Sequence, residues 1–83
     1  MLLMTDDRQE ILETLARTPG HTIAIHRLTA GRWGLGGEHG PELPGAAFIA
    51  LERDGLIRFT DRASIATRKA VIAATSAGLA AIA

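Results

Sequence analysis

Eighty-three residues and 8.8 kDa hold one small domain, 1–83, in which folding buries only about 60–65% of the unfolded chain's surface. Nine Lys and Arg balance nine Asp and Glu, so the chain is formally neutral, which excludes a binder driven by bulk positive charge. Hydrophobic residues at 47% exclude a disordered tail, and the lack of cysteine excludes disulfides, thiolate nucleophiles and Cys-based zinc sites.

Met4, Ile11, Leu12, Leu15 and Ala16 form one stripe at helical spacing, with Arg8, Glu10, Glu13 and Arg17 on the other side. Asp7 followed by Glu10 fits an N-cap with its reciprocal acidic partner. Thr18-Pro19-Gly20 ends this first helix, because the residue before proline is pushed out of the α region. His21 to Ile25 alternates and predicts a short strand, followed by a second helix from His26 to about Trp33, with Leu28 and Trp33 as core contacts. Six glycines between Gly31 and Gly45 mark a loop. A third helix is predicted from about Leu43 to Asp54, with Pro44 in its first turn and Gly55 as the left-handed cap. Leu56 to Phe59 and Ala70 to Ala74 read as two strands of a hairpin whose polar tip spans Thr60 to Lys69. Thr75 or Ser76 caps a last short helix.

The predicted fold is therefore α+β and mainly helical, a winged helix-turn-helix of order α-β-α-α-β-β-α with a two-stranded wing. Its commonest use is nucleic-acid recognition. Met1-Leu2-Leu3-Met4 turns acidic at Asp6-Asp7, unlike a secretory leader. The alanine-rich end, Ala70 to Ala83, is shorter than the ~20 apolar residues a membrane span needs. A soluble, cytoplasmic protein without membrane contact is expected.

Ile11-Leu12, Leu15-Ala16, Pro19, His21, Ile25 and Arg27-Leu28 resemble the amino-terminal segment of PadR-type transcriptional regulators, within the MarR/PadR-like group. Ala47-Phe48, Leu51-Glu52 and Asp54-Gly55-Leu56-Ile57 are similar to that family's third helix and its exit. Arg68-Lys69, Thr75, Ala77-Gly78 and Ala80-Ala81 are similar to its second wing strand and the turn beyond. The chain departs from the pattern at Thr22-Ile23, where the family carries Gly-Tyr, and in a longer, glycine-rich connection ahead of the third helix. The resemblance implies a transcriptional regulator that binds double-stranded DNA through the third helix and the wing.

On the third helix, Pro44, Ala47, Phe48 and Leu51 face inward, while Glu42, Gly45, Ala46, Ile49, Ala50 and Arg53 face outward. Base-reading helices offer Arg, Lys, Asn, Gln, Ser or Thr to the groove, and this one offers a single arginine. Ala46 and Ile49 therefore read either as shape and thymine-methyl contacts beside Arg53 on phosphate, or as an apolar strip that meets protein. In the wing, Arg58, Arg62, Arg68 and Lys69 are opposed only by Asp61, a composition suited to phosphate contact and equally found on a solvated hairpin. The expected function is a small DNA-binding regulator, with a homodimer needed for affinity. The alternative is a winged-helix interaction or oligomerisation module that does not touch DNA.

No catalytic constellation is found, so neither enzyme activity nor a cofactor is expected. His21, His26 and His39 lack the close ligand spacing of a zinc site, and a backbone bond at the helix junction suits His21 better. Trp33, Phe48 and Phe59 read as core. Residues 1–54 carry eight acidic and five basic groups and residues 55–83 one and four, so neutrality is a cancellation that directs any phosphate contact to the wing.

Overall fold

The structure is a computed structural model that describes residues 5–37, 39–61 and 68–82. The first helix, α1 (Asp6–Arg17), buries Ile11, Leu12 and Leu15. Its N-cap is Thr5, whose hydroxyl accepts from the Arg8 N–H at 3.3 Å, and Asp7 lies inside the first turn rather than at the cap. Asp6 and Asp7 still favour the helix there, because carboxylates offset the positive end of its dipole. The chain reverses at Pro19–His21 through left-handed Gly20 and His21, and the His21 Nδ1–H donates to the Leu15 carbonyl at 3.1 Å.

Next comes β1 (Thr22–Arg27), which starts one residue later and runs two residues further than predicted, a turn at Thr29–Gly31, and β2 (Arg32–Leu35). The predicted helix from His26 to Trp33 is therefore absent. Its two apolar anchors, Leu28 and Trp33, are five residues apart and miss the i, i+3, i+4 spacing a helix needs to bury them together. Ala30 and Gly31 adopt left-handed conformations that reverse the chain instead (φ 60° and 72°). Trp33 and Leu35 then alternate onto the same face as Ile25. The glycine-rich stretch turns into β3 (Glu42–Pro44), which pairs back on β2 and takes Leu43 and Pro44 from the predicted helix.

The third predicted helix is α2 (Gly45–Arg53), which buries Ala47, Phe48 and Leu51. It ends as expected at Gly55, whose φ of 76° suits a residue without a Cβ. The Gly55 N–H reaches the Glu52 carbonyl at 3.0 Å and the Leu56 N–H reaches Leu51 at 2.9 Å, a Schellman closure. The expected hairpin forms as β4 (Ile57–Asp61) and β5 (Lys69–Ala74), with a bulge between Phe59 and Asp61. Thr75 caps α3 (Ser76–Ala81): its hydroxyl accepts from the Gly78 N–H at 3.0 Å and donates to the Gly55 carbonyl at 2.6 Å.

All strand pairs are antiparallel, and the sheet runs β3-β2-β1-β5-β4. Ile23 and Ile25, Trp33 and Leu35, Leu43, Ile57 and Phe59, and Ala70 and Ile72 share one face by register, and the buried residues of α1 and α2 close over it as one core. Trp33 stacks on Phe48 at 5.1 Å and meets Phe59 edge-on at 6.0 Å, so the three aromatic side chains are core. Residues of the opposite face, among them Thr22, Ala24, Lys69 and Arg58, are exposed. Among the described residues the fold is thus an α+β layer of three helices on a five-stranded antiparallel sheet. It is not the mainly helical winged helix-turn-helix expected: a β-hairpin stands where the second helix of that motif would be.

Candidate nucleic-acid interface

Register and layering divide the predicted contact residues. Ala46, Ile49 and Arg53 are exposed on α2, in the helical layer. Arg58 lies opposite Ala73 on the uncovered face of the sheet. Lys69 is also on that face, opposite His26, and four residues from Ala73 along β5, a separation of roughly 14 Å at strand rise. Arg68 precedes β5, and Arg62 lies outside the described residues. The seven residues therefore do not make one surface.

Gly45, predicted to face outward, is buried, because α2 starts against the Trp33 ring. A Cβ there would stand 2.9 Å from the Trp33 Nε1 and 3.1 Å from the Gly31 carbonyl oxygen. The start of α2 thereby sits beside the Thr29–Gly31 turn. That start has no side-chain cap and no acidic residue in its first turn, so its positive end is not offset locally. Arg53, in the last turn, is at the other end of the helix.

What the fold does gather is a basic rim where β1 ends and β5 begins. The Arg27 N–H donates to the Arg68 carbonyl at 2.7 Å, and His26 pairs with Lys69 one step further in. Because successive strand residues point to opposite faces, His26 and Arg27 leave the rim on opposite sides. Each side has a hollow: one of about 220 Å³ lined by Arg27, Leu28, Thr29 and Arg68, and one of about 260 Å³ lined by Ala24, Ile25, His26, Gly36, Gly37 and Lys69. Nearby Arg32 is engaged, its Nη2 donating to the Glu42 carbonyl at 3.0 Å and its Nε 3.6 Å from the Glu42 carboxylate.

Of the rim residues, Arg68 and Lys69 are legible in the sequence as wing cations. His26, Arg27 and Thr29 fall in the predicted second helix, and only extending the Thr22–Ile25 alternation by two residues carries His26 and Arg27 to the strand end. Among the described residues no three His, Asp or Glu side chains gather as a metal site, and no helix is long and apolar enough to cross a membrane. Comparison with protein-family models, with curated proteins and with solved structures finds no match, so the likeness to PadR-type regulators rests on the quoted residues alone.

Proposed function

We propose that this protein binds duplex DNA through its phosphate backbone, at the rim where β1 meets the β4–β5 hairpin. The observation that supports the reading is the β1–β5 register, which draws Arg27 against Arg68 and His26 against Lys69 from distant stretches of a neutral chain. Phosphate contact requires charge and reach, whereas base reading requires a set of donors and acceptors held in a groove. Exposed Ala46, Ile49 and Arg53 on α2 supply one such donor, so the contact is assigned to the rim, and regulation by sequence-selective operator reading is not part of the proposal.

The test is fluorescence anisotropy of a random duplex titrated across salt. With one phosphate held at Arg27 and Arg68, a second at Lys69 and a slope near 0.9 per phosphate, affinity should fall about 12-fold between 50 and 200 mM salt. Arg68→Ala with Lys69→Ala should weaken binding alike for all sequences, while Arg53→Ala and Arg58→Ala leave it nearly unchanged. Absence of binding by the unmodified chain at about 50 mM salt, where phosphate contacts are strongest, overturns the proposal.

A second reading, a protein contact or homodimer through α2, draws on Ile49, which at 39% exposure is the one exposed large hydrophobic residue among those described. One isoleucine between exposed Ala46 and half-buried Ala50 is far smaller than the patch of a few hundred Å² that marks an interface, which favours the first reading.

A further inference from the structure

We infer that the hollow between the Thr29–Gly31 turn and the start of β5 is a phosphate clamp, in which Arg27 and Arg68 grip one phosphate group from two sides and the Thr29 hydroxyl donates to it. This deepens the DNA-binding proposal and rests on it for the source of the phosphate. Two guanidinium groups line one hollow of about 220 Å³, and among the described residues neither has a carboxylate partner. Two like charges brought to one hollow repel, and an anion seated between them removes that repulsion and accepts from both forks. The volume is several times the ~30 Å³ that one water occupies, enough for a phosphate with attached water.

The walls are held by backbone rather than by the gripping side chains. The Leu28 N–H donates to the Arg32 carbonyl at 2.8 Å, the Arg32 N–H returns to the Thr29 carbonyl, and the Arg27 N–H holds the Arg68 carbonyl at 2.7 Å. That last bond also fixes Arg68 in a left-handed conformation (φ 54°), uncommon for a residue with a Cβ and tolerated where the surroundings impose it. The arginine side chains are therefore exposed on a fixed frame, and removing either leaves that frame's hydrogen bonds in place.

Two measurements on the full chain decide the matter. In amide NMR, inorganic phosphate should shift the signals of Arg27, Thr29 and Arg68, and Arg27→Ala should abolish those shifts. In duplex titrations, Arg27→Ala and Arg68→Ala should each weaken binding with little change in the salt slope, the double variant should lower the slope by about 0.9, and Arg27→Lys should recover only part of the affinity, since lysine lacks the two-pronged grip. Arg17→Ala, in the last turn of α1, serves as the control and should change neither reading. If the unmodified chain binds duplex while the double alanine variant keeps its slope, the clamp is overturned and the DNA-binding proposal stands. If phosphate shifts the three amides while the chain fails to bind duplex, the clamp stands for a free phosphate compound and the DNA-binding proposal falls. Unchanged amides together with unchanged slopes also overturn the clamp.

Discussion

Replacing Gly45 by alanine sets two effects of known sign against each other. Alanine is the better helix former by at most about 1 kcal/mol, and by less at a terminal position, so propensity alone predicts a gain. The added Cβ, however, would stand 2.9 Å from the Trp33 Nε1, 3.0 Å from its Cε2 and 3.1 Å from the Gly31 carbonyl oxygen. The half-buried ring is held on two sides, stacked on fully buried Phe48 at 5.1 Å and braced edge-on by Phe59 at 6.0 Å, so moving it away from the new Cβ disturbs both contacts. Overpacking a close-fitted site costs about 1–3 kcal/mol, so the net expectation is a loss of about 1.5 kcal/mol. In a chain of 83 residues that lowers Tm by about 6–12 °C. Trp33 is the only tryptophan, so its fluorescence during urea unfolding reports the perturbation at its source. The contact itself is isolated by a double-mutant cycle with Trp33→Leu, followed by circular dichroism, in which Gly45→Ala should become neutral or stabilising. A Gly45→Ala chain as stable as the parent, with Trp33 in place, would refute the claim that β2 packs against the start of α2.

The two threonine caps should differ. Thr75→Ala should cost about 1–2 kcal/mol because it leaves both the Gly78 N–H and the Gly55 carbonyl unmatched, while Thr5→Ala, with a single exposed bond at 3.3 Å, should cost about 0.5 kcal/mol; thermal melts rank them. Glu42→Gln removes an exposed ion pair with Arg32 and should change stability by less than about 0.5 kcal/mol, since the Glu42 carbonyl still accepts from Arg32. Ile49→Asp should leave both the Tm and the mass measured by light scattering unchanged, and a drop in mass would identify α2 as a dimer surface.

The parts of the fold legible in the sequence are those set by neighbours along the chain. The stripe through Ile11, Leu12 and Leu15 names α1, Gly55 names the end of α2, and the pair Thr75-Ser76 brackets the start of α3, where Thr75 is the cap. The hairpin strands were legible because Leu56 to Phe59 and Ala70 to Ala74 are apolar runs on either side of a polar segment. The segment from His26 to Pro44 was misread because its structure is settled by pairing across the sheet. Trp33, Leu35 and Leu43 alternate as strands do, but glycines at 34, 36, 37 and 40 carry the local signal of a loop. The rim was half legible for the same reason. The wing cations can be counted in the sequence, whereas Arg27 joins Arg68 only through a register between strands far apart in the chain.

The extra hairpin also decides which surfaces of the sheet are open to a partner. Its two edges are β3 and β4, since β1, β2 and β5 are each paired on both sides. An edge strand invites a partner to add a strand unless it is short, charged, bulged or interrupted by proline. β3 has three residues and ends in Pro44, which lacks the N–H a new strand would need. β4 carries exposed Arg58 and Asp61, and its bulge lies between Phe59 and Asp61. Strand addition is thus opposed at both edges, and the core face is covered by helices. What remains is the uncovered face, populated by Ala24, Val71 and Ala73 in its middle, and the rim at its end. Small side chains in the middle of that face bring the flat of the sheet close to whatever lies on it, while Arg58 and Asp61 on β4 flank them with charges of opposite sign. A polyanion that engaged the rim and ran along the uncovered face towards Arg58 would therefore pass the exposed Asp61 carboxylate, which the β4–β5 register sets opposite Val71 and which repels it. On that account Arg58→Ala should stay neutral at every duplex length, and a loss of affinity that appears only with longer duplexes would extend the contact from the rim across the sheet.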